Sequence, residues 1–138
     1  MNPSKYKTIP AVLTFCLTIL IVGPAVADFE SGVEANRRGD RTTALKEFQL
    51  ASMNGDDRAY GKLASMYLYG LGTEKNYQLA YVWFHMAYLI NELEAERYRD
   101  AASSMLSREE LASAEQVAEA QRIELGLAKT PKQNKQNQ

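Results

Sequence analysis

The sequence predicts an all-α fold, a stack of about three helical hairpins. Three observations lead there. Apolar residues recur at helical spacing, as Ala44, Phe48 and Ala51 and again as Ala80, Trp83, Phe84 and Ala87, which gathers them on one stripe of a helix. The same residues carry an internal offset of 36: Ala44, Phe48 and Ala51 return as Ala80, Phe84 and Ala87, Asp40 maps onto Asn76, and Ala59 onto Ala95. Finally, no stretch beyond Ala27 alternates polar and apolar residues as a half-buried strand must.

The N-terminus reads as a secretory signal over 1–27. Lys5 and Lys7 form a positive start, 11–22 is apolar but for Thr14 and Thr18, and Gly23-Pro24 breaks the run. Ala25-Val26-Ala27 supplies small residues for cleavage after Ala27, which predicts a periplasmic or secreted protein. The run is short of the ~20 apolar residues that span a bilayer. Cys16 lies inside it behind the bulky Phe15, where a lipoprotein signal needs a small residue.

Each helix then has a start and a stop. The first covers 29–38 and ends at Gly39. Asp40 caps the second, over 41–53, which stops at Asn54-Gly55. Asp56 caps the third, which runs to Tyr69 and ends in Gly70-Leu71-Gly72. The fourth covers 76–90 and the fifth 92–105. Ser107-Arg108-Glu109-Glu110 is a capping box for the sixth, with Leu106 and Leu111 as its hydrophobic staple, and that helix ends near Leu125-Gly126. The repeat domain is thus 28–126. Residues 127–138 are rich in lysine, asparagine and glutamine and lack apolar mass to offset ordering entropy, so they read as a disordered tail.

Composition narrows the chemistry. The one cysteine, Cys16, falls in the signal segment, so the exported chain carries no disulfide, thiolate nucleophile or thiolate metal site. Setting aside Lys5 and Lys7 leaves 14 basic against 17 acidic residues, a net charge of −3. That balance gives no reason to expect nucleic acid or an anionic membrane as partner. Gly70-Leu71-Gly72 is not a phosphate loop, because Lys75 stands where a dinucleotide fingerprint needs glycine and no strand precedes it. His85 is the only histidine and belongs to no ligand-spaced cluster, so no metal or cofactor is expected. The carboxylates of Glu92, Glu94, Glu96, Asp100, Glu109, Glu110, Glu115 and Glu119 are spaced as solvated helix faces, and no catalytic residue is assigned.

The densest stretch resembles a known family. Tyr67-Leu68-Tyr69-Gly70-Leu71-Gly72 followed by Ala80-Tyr81-Val82-Trp83, with Ala59, Leu63 and Ala87 around them, resembles the Sel-one-like repeat, a tetratricopeptide-like α/α hairpin. Ala64 stands where that family has glycine, and Asn76 where it has aspartate. The match is full for one repeat and partial on both flanks, as the caps of a stack would be. The resemblance implies a right-handed superhelical stack whose first helices line a concave binding surface. Arg58, Lys62, Ser65 and Tyr69 recur there at steps of 4, 3 and 4, and the 36-residue offset carries Arg58 to Glu94 and Lys62 to Tyr98. These six residues are the expected partner-binding face. Tyrosine and arginine suit it, being favoured at binding hot spots.

The expected function is therefore non-catalytic binding of a protein or peptide, as adaptor or regulator in the cell envelope. An envelope hydrolase is one alternative. The family includes cysteine-rich secreted members linked to β-lactam binding, and the absence of cysteine weakens that link. Others are a membrane-tethered interaction domain that keeps its signal segment, and a stability element without a groove function. The partner and the oligomeric state are not written in the sequence.

Overall fold

A computed structural model describes residues 29–129. The expected signal segment, its cleavage point and the chain beyond residue 129 lie outside the described residues. The protein is all-helical over the described residues, with no strand among them. Its elements are α1 (Phe29–Arg37), α2 (Arg41–Met53), a 3-10 turn (Asp57–Ala59), α3 (Tyr60–Tyr69), α4 (Tyr77–Leu89), α5 (Ala95–Ser103) and α6 (Arg108–Glu124).

Short polar side chains start these helices by accepting otherwise orphaned backbone N–H groups. Asp40 accepts from the Thr43 N–H at 3.1 Å, and Asn76 from the Leu79 N–H at 2.9 Å. Ser107 and Glu110 complete a reciprocal capping box. Leu106 and Leu111 on either side of it are both partly buried against the core. At the far end of α3, Gly70 takes a left-handed φ of 70°, and the Leu71 N–H closes onto the Met66 carbonyl at 2.8 Å.

Two helix starts differ from the sequence expectation. Asp56 caps the 3-10 turn rather than an α-helix, and α3 begins only at Tyr60. The fifth helix begins at Ala95 instead of Glu92. Asn91 and Glu94 have φ of 62° and 63°, a left-handed backbone that no helix can continue through. The polar tail also starts later than its composition suggests. Leu127 is partly buried, and its N–H bonds the Arg122 carbonyl at 3.0 Å.

The core is organised by α4. Ala80, Val82, Trp83, Phe84, Met86, Ala87 and Leu89 are all buried, so this helix is apolar nearly all round. Such a helix must be surrounded, and α3, α5 and α6 all pack on it. On the other side α1 packs on α2. Gly32 makes that contact close, because a Cβ there would stand 2.7 Å from the Phe48 ring. Trp83 lies 5.7 Å from Tyr60 and lines a groove whose other side is formed by α2. Small residues such as Ala59, Ala80 and Ala87, none of them exposed, let the axes approach.

Thus α1 with α2 and α3 with α4 form packed pairs. The last two helices do not repeat the pattern, since each packs on α4 with little contact between them. The cause is in their composition. Only Ala95 and Ala102 are buried on α5, and only Ala114 and Ala118 on α6. Stripes so narrow gain more from the apolar surface of α4 than from each other.

Candidate functional site

The end of α3, the start of α4 and the length of α5 enclose an open groove of ≈ 390 Å³. Leu68 and Tyr69 come from α3, Tyr77 from α4, Arg97, Tyr98 and Ala101 from α5, and Met105 from just beyond it. Tyr69 is 54% exposed and contributes an accessible ring to the lining. Tyr98, in the same lining, stacks on Phe84 at 5.4 Å and 18° between planes. The Arg97 guanidinium lies 5.5 Å over the Tyr98 ring and is paired with Glu94 at 3.1 Å. Steps of one and four along α5 place Arg97, Tyr98 and Ala101 on adjoining strips of that helix.

Lys75 completes the groove from the α3–α4 loop. Its stem runs past Gly70, where a Cβ would meet the lysine Cγ at 3.1 Å. The glycine therefore serves twice, as left-handed cap and as clearance for the lysine.

The structure divides the six expected site residues. Tyr69 and Tyr98 both line the groove, and Glu94 flanks it through Arg97. Lys62 is exposed on α3 outside the groove lining. Ser65 donates its hydroxyl to the Gly61 carbonyl at 2.8 Å, a bond within its own helix. Arg58 lies in the 3-10 turn, so it does not continue the helical face of α3. Its guanidinium bonds Asp56 at 2.7 Å and Glu30 at 2.8 Å, and it covers the Phe29 ring at 4.5 Å. The Asp56 hydrogen bond, joined by Glu30, raises the Arg58 pKa. Arg58 thus ties the start of α1 to the turn before α3. Its position in the sequence suggested a ligand contact, and its neighbours give it an internal one.

Sequence reasoning missed Lys75, Tyr77, Arg97 and Met105. The spacing of Arg97, Ala101 and Ser104 was visible as one helical face. Nothing in one dimension said that the end of α3 would stand opposite.

Two smaller grooves lie elsewhere. One, of ≈ 310 Å³, runs between α2 and α4 past Lys46, Leu50, Met53 and Trp83. The other, of ≈ 230 Å³, separates α4 from α6 beside Leu79 and Val117. Neither carries an exposed tyrosine or an arginine.

His85 lies outside the Tyr69–Tyr98 groove, with its ring 6.1 Å from Tyr81 and 6.2 Å from Tyr88. Its buried Nδ1 has no hydrogen-bond partner among the described residues. Burial lowers its pKa, with Arg99 and Arg122 acting the same way against Glu119 and Glu115. Among the described residues no group of three or more histidine, aspartate or glutamate side chains is placed to hold a metal ion. No described helix is long and apolar enough to cross a membrane.

No family model, curated protein or solved structure matches the chain.

Proposed function

We propose that this chain is an exported, non-catalytic module that binds a protein or peptide in the Tyr69–Tyr98 groove, as an adaptor or regulator in the cell envelope. We assign it to the Sel-one-like, tetratricopeptide-like repeats, with α1–α2 and α3–α4 as successive hairpins and α5 and α6 closing the stack. The motif running from Tyr67 to Gly72 and on to Trp83 supports that assignment. So does the packing of α1 on α2 and of α3 on α4. Export rests on the apolar run and the Ala25-Val26-Ala27 site.

One observation carries the binding reading. Tyr69 is half exposed at the end of α3 and lines the same groove as a second tyrosine, Tyr98, whose ring is stacked on Phe84. Rigid aromatic rings lose little freedom on binding, so burying them favours association.

The test is a photo-reactive residue at Tyr69, cross-linked in living cells, with Lys46 on α2 as the control position. A discrete adduct at position 69 that disappears in Tyr98→Ala supports the reading. Adducts at Lys46 alone move the binding face to α2. Intact-mass analysis of the same protein tests export, since cleavage after Ala27 leaves Asp28 first and a retained signal points to a tethered domain.

A further inference from the structure

We infer that the groove takes an acidic, extended peptide, whose carboxylates meet Lys75 and Arg97 while its apolar side chains lie on Tyr69, Tyr77 and Tyr98. The inference rests on the binding reading above and adds the chemistry of the partner.

Charge complementarity points to this class. The groove lining includes Lys75 and Arg97 and, among the described residues, no carboxylate. The chain as a whole is slightly acidic, with a formal net charge of −1. With Glu94 paired to Arg97 at the rim, the groove still carries Lys75 as a positive charge in excess, against a chain that is slightly acidic as a whole. Both cations are positioned before any ligand arrives. Lys75 has its stem laid along Gly70, and among the described residues it forms no ion pair. Arg97 is held over the Tyr98 ring, and its bond to Glu94 engages only Nη1, which leaves further N–H groups to donate. An arginine so placed can take a carboxylate at two donors at once.

The apolar part of the lining fixes the shape of the partner. Leu68, Tyr69, Tyr77, Tyr98 and Met105 together form an apolar wall along the groove. An extended chain sends successive side chains to opposite sides. Alternating acidic and apolar residues then place one set on the tyrosines and the other at the rim. A flat anionic membrane has no such alternation, and an open groove between helices does not match its surface.

The test uses the full chain and two fluorescein-labelled short peptides, one alternating aspartate with leucine and one alternating asparagine with leucine, followed by fluorescence anisotropy. The acidic peptide should bind about tenfold tighter than its amide counterpart, and the difference should shrink at high salt. The double neutralisation Lys75→Gln/Arg97→Gln should erase that preference. Both side chains lie at the surface, and circular dichroism checks that the variant folds. Equal binding of the two peptides, lost in Tyr98→Ala, overturns the acidic preference and leaves the groove reading standing. Failure of both peptides, together with no cross-link from Tyr69, overturns both. Anionic lipid vesicles that bind tighter than the acidic peptide, through the same two cations, overturn the peptide class.

Discussion

The Glu92 carboxylate lies against the α-carbon of Gly61, at the start of α3. A Cβ on Gly61 would stand 2.6 Å from the Glu92 Cδ, so only glycine leaves room for it. Ala59, which precedes α3, gives that helix no side-chain cap. Glu92 takes over the task from the α4–α5 turn by accepting the Gly61 N–H. A carboxylate at a helix N-terminus also meets the positive end of the helix dipole. The left-handed residues Asn91 and Glu94 shape the turn that brings Glu92 there and leaves Leu93 89% exposed.

This relationship predicts a coupled pair. Glu92→Ala should cost about 0.5–2 kcal/mol, the range for a lost helix cap. In a Gly61→Ala background the methyl group has already displaced the carboxylate, so the same change should cost nothing measurable. Urea unfolding of the four proteins in the double-mutant cycle checks this. Simple addition of the two single effects would show that the residues act independently.

Two groups should give opposite pH dependence. Glu92 is exposed as a residue, but the packing of its carboxyl against the start of α3 desolvates it and raises its pKa above the usual 4.5, against the Gly61 N–H and Lys62. The folded state therefore holds that proton more tightly, and the stability it gives is full below pH 4.5 and lost as pH rises through the raised value. His85 is the reverse, with a folded pKa below 6.5, so its contribution is present above 6.5 and lost as pH falls through the lowered value. Glu92→Gln should flatten the first slope and His85→Gln the second, read from urea midpoints across pH. A variant that leaves its slope unchanged removes that group as the cause.

Gly72 and Gly39 share a left-handed backbone, with φ of 77° and 82°. A Cβ on Gly72 would also lie 2.6 Å from the Arg41 carbonyl carbon, in backbone that cannot move aside cheaply. Gly39 faces open space. Gly39→Ala should cost only the left-handed penalty of about 1–2 kcal/mol. Gly72→Ala should cost distinctly more, by the overpacking of the α2 start. Thermal unfolding of the two variants side by side decides it, and equal losses would mean that the α3–α4 loop yields.

Trp83 is 7% exposed at the meeting of α2, α3 and α4. Trp83→Ala should cost about 3–5 kcal/mol, a large part of the ~5–15 kcal/mol of a typical domain. Denaturant unfolding followed by far-ultraviolet circular dichroism measures it. A loss below 1 kcal/mol would mean that the ring is not central to the core.

The sequence by itself determined the all-helical class and most helix boundaries, because caps and glycine stops act over three or four residues. Asp40 and the Ser107–Glu110 box do in three dimensions what their spacing foretold, while Asn76, read as the first residue of the fourth helix, serves as its cap. One apolar stripe of α4 was legible from periodicity, but its burial nearly all round came from the three helices packed on it. The tertiary structure decided everything that joins distant segments. It paired Arg58 at the surface with Asp56 and Glu30, set Glu92 on Gly61, and sent α5 and α6 to α4 rather than to each other. It also brought Tyr69 and Tyr98 to one groove together with Lys75 and Arg97. The physical reason is that caps and periodicity are local, whereas a groove depends on how helices are set against each other, and that setting follows from packing over the whole core.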